Sequence, residues 1–246
     1  MGSSTISLGL GLGGGKAATS SGTSGGGGTP FANQYSVSFD GSDDYLDCGS
    51  IVSSFSALSV SAWVNADSYG SFNVVASQYT SNVGGSFFLE TVGSDMWFAV
   101  STGSGYTGLA KYTAGLSTGS WYHVCGTWDG STTKVYINGA IGSQNGSYTG
   151  SLGGSGVSFK VGSMLAGYWN GFIDEVAIFD SALSASDVSD IYGSGVPADL
   201  TSLSPVNWWR MGDNDGGTGT TITDQGSGGN DGTLTNGPTF STDVPS

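Results

Sequence analysis

Positive charge is what this chain lacks most: five Lys and Arg stand against 19 Asp and Glu, a formal charge of −14 over 246 residues. Such a field repels a phosphate backbone unless a cation intervenes, which argues against nucleic acid as a partner. Cysteine is nearly as scarce, with Cys48 and Cys125 alone. Both stand in apolar, strand-like contexts (YLDCG and YHVCGTW), far from any CxxC spacing, where a thiol packs as a small hydrophobe and a disulfide framework is not expected. No run approaches the roughly 18 to 20 apolar residues that span a bilayer, so membrane insertion is not expected either. The first residues have no basic n-region and dilute their apolar side chains with Gly, which does not read as a secretory signal.

Glycine is what the chain has in excess, 45 residues, beside 12% aromatic and 37% hydrophobic residues. That combination describes many short strands joined by tight turns, in a chain long enough to bury a sizeable core. Composition divides it into a Gly/Ser-rich arm over residues 1–30, a β-rich domain over 31–200 and a tail over 201–246. In the arm, Ile6, Leu8, Leu10 and Leu12 alternate with Ser and Gly, so it reads either as a floppy linker or as a thin strand that docks on a partner. In the tail, Trp208, Trp209, Leu234 and Phe240 need burial, on the main domain or in a neighbouring subunit.

From about residue 35 to 180 short β-like runs succeed one another, among them YSVSFDG, LSVSAWVNA, SFNVVASQY, SFFLETV and GFIDEVAIFD. Asp-Gly at 40–41 and 129–130 and Asn-Gly at 138–139 predict hairpins between antiparallel strands. The fold class predicted is all-β, a two-sheet antiparallel sandwich with Leu58, Val60, Trp63, Phe98, Trp121, Val124, Val135, Ile137 and Ile173 as core. One short helix is expected at a sandwich edge, with Ser184 as N-cap, Asp187 at N3, Leu183 stapled to Val188 and Gly193 as its stop.

Taken in order, VSFDGSDDYLDCG, LSVSAWV, GSWYHVCGTWDGSTTKVYINGAI, VGSM and NGFIDEVAIFDSALSASDVSDIY resemble the concanavalin-A-like, laminin-G-like jelly-roll family over residues 34–193. The resemblance implies a jelly roll whose members bind carbohydrate, protein or Ca²⁺, or serve as structural modules. In the related glucanases an acidic residue on the strand matching IDEV joins a carbonyl of the early turn around Ca²⁺. Carried over, this implies a structural Ca²⁺ at Gly41, Asp43 and Asp174; the other reading is that Asp40 and Asp43 stabilise turns while Asp174 takes backbone hydrogen bonds. Tyr69, Tyr79, Tyr106, Tyr168 and Trp169 lie in loop-like contexts, where an aromatic face either stacks on a sugar or caps the core. The Trp-Arg-Met-Gly-Asp tail and the ISLGLGLGGGKAATSSG arm together resemble marine bacteriophage virion proteins that carry this domain. That resemblance implies a virion structural protein whose partners are other copies and neighbouring virion proteins, with a cell-surface glycan as a further partner. Its assembly contacts would be Ile6, Leu8, Leu10, Leu12, Trp208 and Trp209. The alternative is a free extracellular or cell-surface lectin.

No catalytic residue is assigned, and the chain is expected to be non-enzymatic. Related glucanases use an E-x-D-x-x-E strand, whereas here Glu90 and Asp95 are spaced by an odd number and are expected on opposite faces. Asp174 and Glu175 are adjacent and are expected to alternate in the same way. His123 reads as a packed sheet residue more than as a base beside Cys125. Neither a G-x-S-x-G elbow nor a phosphate-binding G-x-x-x-x-G-K-[ST] loop is present.

Overall fold

The structure is a computed structural model that describes residues 31–52, 54–79, 86–101, 108–113, 115–152 and 156–246. The alternating runs become β1 (Ser36–Asp40), β2 (Tyr45–Asp47), β3 (Leu58–Ala66), β4 (Asn73–Gln78), β5 (Ser86–Val92), β6 (Asp95–Ser101), β7 (Gly108–Tyr112), β8 (Trp121–Trp128), β9 (Thr132–Ile137) and β10 (Ala140–Ile141). Then come β11 (Gly146–Ser147), β12 (Lys160–Val161), β13 (Ser163–Met164), β14 (Gly167–Tyr168), β15 (Asn170–Phe179), helix α1 (Ala185–Tyr192), β16 (Asn207–Trp209), β17 (Thr221–Ile222), β18 (Gly232–Thr235) and β19 (Thr239–Ser241). Sheet A runs β10-β9-β8-β3-β15-β1-β19, with β11 also on β9 and β16 also on β15; sheet B runs β17-β18-β2-β12-β4-β5-β6-β7. The principal pairings are antiparallel, and β13 and β14 form a hairpin of their own. This is the all-β, two-sheet sandwich with one short helix.

Between the sheets, Val60, Ala62, Val64, Val124, Val135 and Ile173 of sheet A meet Phe87, Leu89, Phe98 and Val100 of sheet B in one core cluster. Gly126 sets how closely they approach: a Cβ there would stand 2.2 Å from the Phe98 ring. Two expected core residues lie elsewhere, because Trp63 is three positions from Val60 and Trp121 three from Val124, and an odd step changes face. Trp63 is buried on the outer side of sheet A, stacked with Tyr192 of α1 and beside His123. Trp121 is half-buried and donates its Nε1–H to Asp243 at 2.8 Å.

Helix α1 has the capping box of Ser184 and Asp187 and ends at Gly193 with φ 56°. It covers the outer face of sheet A and not an edge, seating Val188 and Ile191 with Cys125, Tyr136 and Phe179. Cys48 belongs to the inter-sheet core, Cys125 to this outer cluster, and both are free thiols. Asn138 and Gly139, with φ 49° and 78°, turn the β9–β10 hairpin, and Asp129-Gly130 joins the paired strands β8 and β9. Asp40-Gly41 makes no hairpin: β1 lies in sheet A and β2 in sheet B, so this turn is a corner between sheets.

The tail supplies strands to both sheets, and Phe31–Ser246 is one compact unit. Trp209 is fully buried, stacked on Phe159 at 5.4 Å, with its Nε1–H donated to the Asn230 carbonyl at 2.8 Å. Trp208 is buried on the other side, stacked with Phe31 at 6.0 Å. Both rings therefore pack within the fold, Trp208 keeping a small exposed edge, while Ile6, Leu8, Leu10 and Leu12 lie outside the described residues.

Strand β15 holds this arrangement together. One of its edges pairs with β3, while the other is shared between β1, opposite residues 170–173, and β16, opposite 176–178. Where the partners change, the register slips between Asp174 and Ala177 and Glu175 takes φ 48°, a β-bulge. Ile173 and Val176 both face the core, so the two residues between them turn outwards together. This overturns the expected alternation of Asp174 and Glu175. Asp174 accepts from Asn33 at 2.9 Å and from the Glu175 amide at 2.8 Å. Glu175 accepts from Trp208 Nε1 at 2.6 Å and from Arg210 at 3.0 Å, and Arg210 also pairs with Asp213 at 3.1 Å. Arg210 lies over the Phe31 ring at 4.1 Å, so the chain's single arginine clasps its first described residues to its tail. Burial raises Asp174 well above the usual carboxylate range and Glu175 to about 7, with Arg210 pulling the latter back down. Arg210→Met, which strands a buried carboxylate, is expected to cost about 3 to 5 kcal/mol in equilibrium urea denaturation. Arg210→Met with Glu175→Gln should recover part of that loss, and no recovery would mean the clasp acts through packing alone.

Candidate functional site

The two faces of sheet B follow from its pairing. Leu89 opposite Phe98 lies in the core, so Glu90 opposite Trp97 and Phe88 opposite Ala99 lie on the outer face. A register shift between Val74 and Ala76 sends Val75 and Ala76 inwards and leaves Val74 outside with Phe88 and Ala99. The β13–β14 hairpin lies on this outer face, where Met164 packs into the same small cluster. Its tip residue Leu165, with φ 54°, is 63% exposed.

A cleft of about 440 Å³ lies on each side of this hairpin, and the two share Met164 and Leu165 as a common ridge. One is polar, lined by Tyr45, Asp47, Ser77, Tyr79, Lys160 and Tyr168. Within it, Tyr79 meets Phe88 edge-on at 5.6 Å and the Lys160 ammonium lies 4.0 Å over the Tyr45 ring. The other has the apolar walls Phe72, Val74, Ala166 and Gly167, and its one charged lining residue is Glu90. Glu90 is 1% exposed, its Oε2 has no hydrogen-bond partner, and desolvation pushes it up to about 7. Trp97, across the strand pair, also has an unpartnered Nε1, and its ring lies under the Lys111 ammonium at 4.2 Å.

The residues singled out from the sequence separate into several places. Tyr79 and Tyr168 come together in the polar cleft. Trp169 is fully buried between the sheets and presents no ring for stacking, while Tyr69 is half-buried against the core, its hydroxyl pushed up to about 12 by burial, and lies outside both clefts. Tyr106 lies outside the described residues. Gly41, Asp43 and Asp174 do not converge: Asp40 pairs with Asn170, and Asp174 is four positions further along β15, about 13 Å at strand rise. The carboxylates that do converge are Asp40, Asp43 and Asp44, with one oxygen of each within 4.8 Å of the others. Asp40 also accepts from the Ser42 amide at 2.8 Å, and Asp44 from the Asp40 amide at 3.0 Å. Burial and then the charges of Asp40 and Asp43 raise Asp44. His123 is fully buried, bonded to Ser61 at 2.8 Å, and desolvation lowers it to about 3.

Glu90 and Asp95 also depart from expectation. A hairpin turn separates them, Asp95 pairs with Val92, and both acids therefore share the outer face of sheet B. Counting along the chain missed this because alternation restarts across a turn. Asp95 nevertheless does not line the cleft that Glu90 closes. Phe72, Met164, Leu165 and Lys160 were not legible as site residues, since nothing local marks which short strand carries a hairpin over its face.

The family profile of the concanavalin A-like lectin/glucanases superfamily, of laminin-G type, matches residues 40–189, and the chain belongs to this family. A comparison with curated proteins gives no match. Among solved structures, a protein of Bacteroides ovatus assigned to carbohydrate binding superposes with TM-score 0.68 at 20% identity, covering 88% of this chain and 62% of the other. This chain thus spans 62% of that protein's length. Domain 4 of a GH43 extracellular arabinanase from Geobacillus stearothermophilus, in complex with arabinotriose, gives TM-score 0.51 at 23% identity over 64% and 76% of the two chains. The CBM40 of a Ruminococcus gnavus sialidase, bound to α2,3-sialyllactose, gives 0.52 at 12% identity over 64% and 96%.

Glu90 makes stability depend on pH with a definite sign. Its folded value of about 7 lies above the ordinary 4.5, so between those values the native state holds the proton more tightly and stability falls as pH rises. Glu90→Gln is expected to be more stable than the parent above pH 7, by up to about 3 kcal/mol, and little different near pH 4. Thermal unfolding at both pH values checks this: Glu175 titrates alike in both proteins and cancels, and a difference independent of pH would contradict it.

Proposed function

We propose that this chain is a non-enzymatic carbohydrate-binding module whose glycan lies on the outer face of sheet B, along the ridge of Met164 and Leu165. The observation that carries this reading is the pair of clefts sharing that ridge, one with Tyr79 and Tyr168 beside Asp47, Ser77 and Lys160. Aromatic faces with a few convergent polar groups are what a sugar ring requires. The carbohydrate-bound states of the arabinanase domain and the CBM40, on the same fold, support it. A non-enzymatic role is supported by the carboxyl pairs: Asp174 and Glu175 are sealed under Trp208 and Arg210, and Glu90 closes its cleft without Asp95. The resemblance to virion proteins would set such a module on a particle surface. With Trp208 and Trp209 spent inside the fold, attachment there would fall to residues 1–30.

Asp40, Asp43 and Asp44 would hold the Ca²⁺ that the family implies. Three close carboxylates fit a hard divalent cation, and among the described residues both ion pairs belong to Arg210, so no protein cation neutralises them. A bound ion would tie down the corner between β1 and β2.

Tyr79→Ala with Tyr168→Ala is expected to lower the affinity of the best ligand from a glycan panel by about 10-fold or more, with a cooperative thermal transition kept. Unchanged affinity by calorimetry would place the glycan elsewhere. For the metal, millimolar Ca²⁺ should raise the thermal midpoint of the parent and not of Asp44→Asn. An equal rise in both would remove the cluster from consideration.

A further inference from the structure

We propose that the apolar cleft between Phe72 and Leu165 is a subsite for an amine-bearing sugar ring, an unacetylated hexosamine unit, and that Glu90 is the residue that selects it. This rests on the carbohydrate-binding reading of the same face and adds which chemistry one half of it takes. The cleft is large enough for one saturated ring, at about 440 Å³, and its walls are side chains that a sugar's C–H face can lie against. Phe72 and Leu165 at its rim are 53% and 63% exposed, two of the few large hydrophobic side chains left open to solvent among the described residues. At its base is a carboxyl group that is 1% exposed and has an oxygen without a partner. A carboxylate in that position is costly unless a positive group meets it, and among the described residues no ion pair reaches it. Of the described cations, Lys111 lies over the Trp97 ring and Lys160 over the Tyr45 ring, Lys134 acts on Asp129, and Arg210 is paired with Glu175 and Asp213. Burial raises the affinity of Glu90 for its proton.

A protonated amine supplies what the cleft lacks: a charge for the carboxylate and N–H donors for its unpartnered oxygen. An N-acetyl group offers one neutral N–H and adds an amide carbonyl whose oxygen the carboxylate repels. A plain hydroxyl makes a weaker, uncharged bond. The chain's charge of −14 favours approach of a cationic oligosaccharide over an acidic one.

The test is calorimetric titration of the full chain at constant ionic strength with three oligosaccharides of equal length, built from glucosamine, N-acetylglucosamine and glucose. The glucosamine oligomer is expected to bind about 10-fold or more tightly than the other two. Glu90→Gln, isosteric and checked for an intact thermal transition, should erase that preference, and Phe72→Ala should weaken the glucosamine oligomer as well. A glucosamine preference that survives Glu90→Gln overturns the assignment, because general attraction to an acidic protein would then explain it. Binding of neutral oligomers without a glucosamine preference also overturns it while leaving the carbohydrate reading intact. Failure of all three, together with a silent wider glycan panel, overturns both.

Discussion

A single strand edge with two partners governs this molecule. β15 gives one side to β3 and divides the other between β1 and β16, and the chain accommodates the change with a bulge at Asp174 and Glu175. The bulge turns both carboxyl groups to the outer side of sheet A, where each must find hydrogen-bond donors or keep its proton. Asn33, Trp208 and Arg210 supply those donors, and they come from the first described residues and the tail. The segment after α1 is thereby built into the sandwich, with strands in both sheets and Trp209 in the core.

The same constraint decides which face is left for a ligand. The outer side of sheet A is covered by α1, by Trp208 and Leu200, and by the residues around the clasp. Among the described residues, the outer side of sheet B carries the β13–β14 hairpin, which has a cleft of contrasting chemistry on either side. Sheet A therefore serves as the stabilised half, and sheet B carries the exposed Phe72 and Leu165, the tyrosines and a buried acid held above its ordinary titration range. A face so divided suits a ligand with both apolar and hydrogen-bonding surfaces, which is the character of a sugar chain.

The architecture was legible because it rests on local periodicity. Alternation around Val60, Val124 and Ile173, the Asn138-Gly139 turn and the Ser184–Asp187 capping box are each written within a few residues and recur in the structure. The site was less legible because it depends on long-range registers. Glu90 and Asp95 share a face only because a hairpin intervenes, and Asp174 and Glu175 share one only because of a bulge. Trp169 looked like a loop aromatic and is a core residue, while Leu165, in an unremarkable Ser-Met-Leu-Ala run, is the most exposed point of the ridge. The acidic DGSDD turn was visible as a metal candidate with Gly41, Asp43 and Asp174, but the carboxylates that converge there are Asp40, Asp43 and Asp44, and the distant Asp174 is not among them.

The chain contains four methionines, and their positions give a direct test of the proposed glycan site. Met164 lies on the ridge between the two clefts, whereas Met96 and Met211 are in the core between the sheets. With ¹³C-methyl methionine, a glycan that binds the protein should shift the Met164 resonance and leave those of Met96 and Met211 in place. Saturable binding with Met164 unmoved would contradict the account and move the ligand off the outer face of sheet B.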